Sequence, residues 1–336
     1  MISIGKLRNR RGYLSYCGPL IVAAVFAAHL GTASAQTFPS KPVRIVVPFP
    51  PGGATDVLAR LISDKLGARM GQQVMIENRP GAGGSLGAVL AAQSSPDGHV
   101  LFIGSDPGFT SAPPMSKDAG YDPIRDFAPV TMLASQAFLL NLHPTLPPTT
   151  VQEFVSYAKA RPGQLSYASP GVGSPHHLGM ELFKLTAGID IVHVAYRGGA
   201  PATQDVVAGQ VPIMFGSYVI AGPHLQTGKL KAIGASGAKR VVQAPDVPTI
   251  AEQGYPGFDM TTWFGLFAPV GTPDSAIERI ASETQAVLAL ADVRERFVTV
   301  GLDAAPVMTP AAFATRVKAD VAKWAKVVKE ANIKAE

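Results

Sequence analysis

Two stretches of this 336-residue chain put small, flexible residues where backbone amides can do chemistry. The first is Pro50-Pro51-Gly52-Gly53-Ala54. It follows an apolar run (Val43, Ile45, Val46, Val47) and precedes a helical stripe of Val57, Leu58, Leu61, Ile62 and Leu66. A strand that turns through glycines into a helix leaves several N–H groups without intrahelical partners, and it aims the positive end of the helix dipole at the space above the strand. That is an anion-binding site in outline. Thr55 and Asp56 are also good N-cap types for the same helix, so either residue has a purely structural use. The second stretch, Pro170-Gly171-Val172-Gly173-Ser174-Pro175-His176-His177, has the same order of strand, glycines and helix. Two such cradles, one per domain, would face each other across a cleft. Ser105 ends a third strand and is placed to contribute. Arg197 follows Tyr196 at another strand end, where it either meets a carboxylate or stays solvated.

Catalytic chemistry has less support. Ser174 lacks the Gly-x-Ser-x-Gly elbow of a hydrolase. The seven histidines are scattered, with no His-Glu-x-x-His and no cysteine ligands, so no metal is expected. Gly81-Ala82-Gly83-Gly84-Ser85-Leu86-Gly87 resembles a dinucleotide fingerprint, but it follows the second strand instead of the first. An exported hydrolase and a nicotinamide oxidoreductase stand as the enzyme alternatives, and bound-cofactor fluorescence would reveal the latter. No catalytic residue and no cofactor is expected.

The elements that must hold these cradles are legible as an α/β series. Gln73–Asn78 and Val100–Ser105 read as short strands, with a helix near Ser85 carrying Leu86, Val89 and Leu90. Strands alternating with helices at this spacing imply a parallel sheet covered on both faces, whose ligands sit at the carboxyl ends of the strands. Residues 106–129, punctuated by five prolines, read as loop with short turns. Thr131–Leu142 is a long apolar strand and the first choice for a crossing between domains. A second series follows, with helices near 151–160, 177–186 and 203–208 and strands near 165–169, 191–196 and 211–216. Leu230–Ser236 and Thr261–Ala268 are further strands, the latter a plausible return crossing. Two amphipathic helices end the chain, marked by Ile277, Ile280, Thr284, Val287 and Leu288, and by Phe313, Val317, Val321, Trp324 and Val328. Both stripes are core faces.

The first 35 residues read as an export signal, with basic Lys6, Arg8, Arg10 and Arg11, an apolar Leu20–Leu30 segment and a small-x-small site at Ala33-Ser34-Ala35. The apolar segment is shorter than the roughly 20 residues a spanning helix needs. The only cysteine, Cys17, lies before it and would be removed, so the mature chain must be held by its core and not by disulfides. Without those four basic residues, 25 of the 29 remain against 24 acidic ones, and no basic surface for nucleic acid is implied. About 300 mature residues usually form two domains.

VRIVVPFPPGGATDVLARLI, VMIENRPGAGGSLGA, YASPGVGSPHHLGMELF, VAYRGGAPATQDVVAGQV and VPTIAEQGYPGFDMTTWFGLFAPVGTP occur in this order along the chain. Together they resemble the tripartite tricarboxylate transporter substrate-binding receptors, the Bug family, over nearly the whole mature sequence. The resemblance implies a two-lobed periplasmic binding protein of Venus-flytrap form, each lobe a mostly parallel sheet flanked by helices, joined by two crossing strands. It implies lobe 1 over residues 36–137 plus 257–336 and lobe 2 over 138–256. It further implies a small carboxylate held between the lobes by Phe49 and Gly52, Gly53, Ala54, Thr55 and Asp56 on one side, and by Gly171, Gly173, Ser174 and His177 on the other. The partners would be that carboxylate and integral membrane transporter subunits, with the receptor a periplasmic monomer cleaved near Ala35. A receptor reporting to a sensor system is the alternative within binding proteins. Neighbouring genes would separate the two.

Overall fold

A computed structural model describes residues 38–115, 119–330 and 333, with residues 1–3 and 5 at the amino terminus. The export signal expected over residues 1–35 falls almost wholly outside them. Met1–Phe38 and Pro39–Glu336 are separate units, and the fold below is that of the second.

The first lobe opens with β1 (Val43–Val47), buried except at Arg44, which runs parallel to β2 (Val74–Asn78) and, on its other side, to β3 (Val100–Ser105). Between β1 and β2, α1 (Ala54–Met70) buries Leu58, Ile62 and Leu66; it stops at Gly71, whose left-handed φ of 74° lets its N–H bond the carbonyl of Gly67. Between β2 and β3 lies the short α2 (Ser85–Ala92). Of the apolar residues this helix carries, Leu86 is 58% exposed.

Residues 106–129 are more ordered than their prolines suggest. They form α3 (Gly108–Met115) and the start of β4 (Phe127–Leu142). Tertiary packing outweighs the missing periodicity. Phe109 stacks on Tyr121 with centroids 5.4 Å apart and meets Phe127 at 5.1 Å and Phe267 at 4.7 Å.

The second lobe alternates α4 (Val151–Lys159), β5 (Ser166–Ser169), α5 (Pro175–Ala187), β6 (Val192–Ala195), α6 (Gly199–Val207), β7 (Ile213–Ser217), α7 (Tyr218–Gln226) and β8 (Lys231–Ala235). The chain then returns through β9 (Thr261–Pro269) to α8 (Asp274–Leu288), α9 (Ala291–Val300), the two-residue β10 (Asp303–Ala304) and α10 (Pro310–Glu330). Neither α7 nor α9 was expected. α7 carries an internal Pro223 and buries only Ala221 and Gly222, while α9 buries only Val293 and Phe297, so neither has a full apolar stripe.

The strands form the order β2-β1-β3-β9-β4-β7-β5-β6. Pairing is parallel among β1, β2 and β3, and again among β5, β6 and β7. It is antiparallel where β4 and β9 pass between the lobes. β4 pairs with β9 as far as Ala137 opposite Thr261, and from Phe138 opposite Ser217 it pairs with β7. One strand therefore belongs to both lobes, and its partners change between two adjacent residues.

A helix spans the lobes as well. α10 buries Phe313 and Val317 beside Phe102, Trp263 and Phe267 of the first core, then Trp324 and Val328 beside Phe138, Leu178 and Met260 of the second. The indole of Trp324 donates to Asp106 at 2.9 Å, and that of Trp263 donates to Asp320 of α10 at 2.8 Å.

Candidate functional site

The junction of β1 and α1 is a turn whose last residue, Gly53, is the N-cap of α1 without any side-chain cap bond. The backbone amides of the first helical turn are therefore left to whatever lies beyond. What lies beyond is a cavity enclosing about 590 Å³ between the lobes, its mouth included.

Four helix N-termini reach this cavity: Gly53–Thr55 of α1, Pro175 and His176 of α5, Gly198–Pro201 before and within α6, and Ser217, the N-cap of α7. Each helix start carries about half a unit of positive charge. Among the described residues, none lining the cavity is Lys, Arg, Asp or Glu. The site thus has positive potential without a cation, supplied by backbone. Its floor is Gln136 and Phe138 of β4 with Phe264 of β9 and Ser105 of β3, the last two being cross-strand partners.

Polar atoms of the lining residues are left without partners. Gln136 Oε1, both ring nitrogens of His176 and Ser217 Oγ are buried and make no hydrogen bond to the protein. Leaving a buried polar group unpaired costs about 1–3 kcal/mol, so several in one place mark a site and not a core. Burial depresses the His176 pKa to about 4, which keeps the ring neutral near pH 7. That ring lies 4.7 Å from Phe138.

Of the residues expected from sequence, Phe49, Gly53, Ala54, Thr55 and Ser105 line the cavity together. Gly52 and Asp56 do not. The Gly52 N–H donates to Asp56 at 3.0 Å, and the same carboxylate accepts from Arg60 and, at 2.9 Å, from Asn78. Burial pushes the Asp56 pKa up, but these donors outweigh it and hold the carboxyl below its ordinary range. Asp56 therefore braces the turn from behind.

On the other side, Gly171 lines the wider mouth, a space of about 1720 Å³ shared with Gly83, Gly84, Tyr196 and Arg197. Tyr196 donates its hydroxyl to Asp205, and Arg197 is exposed. Gly173, Ser174 and His177 also lie outside the cavity lining. Ser174 Oγ accepts the His177 N–H at 3.3 Å, His177 Nδ1 accepts the Gly173 N–H at 3.1 Å, and the His177 ring stacks on His193 at 4.1 Å. These bonds fix the loop that presents Pro175 and His176.

Sequence reasoning missed Gln136, Phe138, His176, Gly198, Gly199, Ser217 and Phe264. Two signals were available: a lone glutamine inside an apolar crossing strand, and a further strand-glycine-helix corner at Gly198-Gly199. Ser217 offered none, since α7 itself was not visible.

The lobes touch across the mouth through glycines. A Cβ on Gly83 would stand 2.2 Å from the carbonyl oxygen of Val172, one on Gly198 would be 2.9 Å from Pro50, and one on Gly108 would be 3.2 Å from the Gly173 oxygen.

Two α/β lobes joined by crossing strands, with helix starts gathered on an interlobe cavity, define a periplasmic-binding-protein fold. Residues 58–333 match the family described as the tripartite tricarboxylate transporter family receptor. The chain belongs to that family. It is 35% identical to protein BugT of Bordetella pertussis over 324 residues, covering 94% of this chain and 98% of BugT. Among solved structures, MatC from Rhodopseudomonas palustris with bound malate is 36% identical with a TM-score of 0.82, over 87% of this chain and all of that one. An R. palustris protein with adipate is 35% identical with a TM-score of 0.83, over 88% and 99% of the two chains.

Proposed function

We propose that this protein is an exported receptor that captures a small carboxylate between its lobes and hands it to integral membrane subunits of a tripartite tricarboxylate-type transporter. The observation that carries this reading is the convergence of four helix N-termini on a cavity whose described lining has no charged side chain. A carboxylate there gains about 1.5–3 kcal/mol per charge-assisted bond and about 0.3–1 kcal/mol per helix end. A few such contacts supply the roughly 8 kcal/mol of a micromolar complex. The adipate and malate held by the two R. palustris relatives support the same ligand class.

In this reading the protein is a periplasmic monomer after cleavage near Ala35, without cofactor, metal or catalytic step. The lobes comprise residues 36–137 with 257–336, and residues 138–256. A ligand that touches both favours the closed form by its differential affinity, and closure is the state the membrane subunits recognise. Calorimetric titration of the purified protein with a panel of small carboxylates tests the binding step, and loss of uptake on deleting the gene tests delivery. A panel without any binder overturns the proposal.

A further inference from the structure

The unpartnered polar groups sit together. Gln136 and Phe138 alternate on β4 and so face the same side, Ser217 is the cross-strand partner of Phe138, and the His176 ring packs on Phe138. Gln136 and Ser217 are only 2% and 1% exposed. As the N-cap of α7, Ser217 has the residue type that normally bonds its own helix, yet its side chain makes no cap bond. Three polar side chains around one phenyl ring, each left unsatisfied by the protein, are arranged to meet something else.

Their chemistry narrows what that is. An amide, a hydroxyl and an imidazole each include both donor and acceptor capacity. A carboxylate only accepts, which would leave the acceptor atoms of this trio facing an anion. The burial that keeps the imidazole neutral also removes the one side chain here able to become a cation.

Resting on the carboxylate reading above, we infer that Gln136, His176 and Ser217 form a subsite for an uncharged hydrogen-bonding group. The ligand would then carry one carboxylate and, on an apolar body against Phe138 and Phe264, a hydroxyl, carboxamide or ring nitrogen. Rejection of an analogue lacking that group follows from leaving buried polar atoms unpaired, the strongest form of discrimination available to a binding site.

The test is calorimetric titration with two series that differ only at the far end: hexanoate, 6-hydroxyhexanoate and adipate, and benzoate, 4-hydroxybenzoate and terephthalate. In the series that binds, the hydroxy acid is expected at least tenfold tighter than both the unsubstituted acid and the diacid. A diacid as tight as the hydroxy acid, or an unsubstituted acid as tight, overturns the subsite while leaving the carboxylate receptor standing. Failure of all six to bind, with other carboxylates binding, also overturns it; failure of every carboxylate removes the receptor reading itself. The Gln136→Leu variant supplies an independent readout. It should bring the hydroxy-acid preference to within threefold of the unsubstituted acid and, by removing an unpaired amide, leave the ligand-free melting temperature unchanged or higher. An unchanged preference, or a large fall in melting temperature, assigns Gln136 to structure and overturns the inference.

Discussion

His176 and His177 are neighbours with opposite duties. His176 is part of the cavity lining and has two buried, unpartnered ring nitrogens, whereas His177 is consumed by the Gly173 N–H and the stack on His193. Both lie in one loop of the sequence, and nothing in their types says which lines the cavity. Only the N-cap position of Ser174 decides it, because that fixes where each residue points on α5. The burial of these rings has a pH consequence. Burial depresses the pKa values of His176 and His177 to about 4 and that of His193 to about 3, against about 6.5 in an unfolded chain. For a base depressed in this way the unfolded state takes up protons first, so stability falls as pH drops below about 6.5 toward 4. Asp106 has the opposite sign. Burial and the nearby Asp320 raise its pKa to about 7, with Thr110, Trp324 and Lys323 opposing, so its contribution is full below the unfolded value of 3.8 and is lost as pH rises toward 7. Three histidines outweigh one aspartate, and the melting temperature should fall between pH 7 and pH 5. Asp106→Asn removes the compensating group and should make that fall steeper in the same melting series. A second residue-level expectation concerns charge. Ala54, at the first position of α1 and in the cavity lining, when changed to Asp should weaken carboxylate binding more than tenfold by titration, and by clearly more than Ala54→Asn.

At the level of elements, β1, β2, β3 and the two crossing strands were legible because apolar β-branched runs closed by Gly or Pro have few other uses. α3 was not, since its order comes from Phe109 packing on Tyr121, Phe127 and Phe267, contacts remote in sequence. α7 was not, because Pro223 and a nearly unburied face hide a helix whose main consequence is to aim its N-terminus. The first cradle was legible as a backbone motif, but its acidic residue was misplaced: the Asp56 side chain turns back to Gly52 and away from the cleft. The glycines also divide by element. Gly53 has an ordinary φ of −81°, and a Cβ there meets only the Pro50 oxygen at 4.0 Å. Gly53→Val should therefore fold with little change in melting temperature yet lower ligand affinity tenfold or more by filling the cavity wall. Gly83, at a φ of +64° and against Val172, offers no such tolerance. Gly83→Ala should hold the lobes apart, which small-angle scattering would read as a larger radius of gyration in the presence of saturating ligand.

At the scale of the whole molecule, β4, β9 and the strap α10 tie the lobes among the described residues. Trp324 is fully buried in the second core while its indole bonds Asp106 beside the first-lobe strand β3. Trp324→Ala should cost about 3–5 kcal/mol of stability by denaturant titration, the range for deleting a large core side chain. Trp324→Phe should recover most of the packing and leave the Asp106 acceptor unpaired.

The change of partners within β4, from Ala137 on one lobe to Phe138 on the other, falls between two residues that line the cavity or adjoin its lining, directly beneath the cavity floor. Under the receptor reading, a guest resting on Gln136 and Phe138 would lie across any bend of the molecule at that point. Its release would then be coupled to that bend, and ligands of increasing affinity should differ mainly in dissociation rate, which stopped-flow measurement would check.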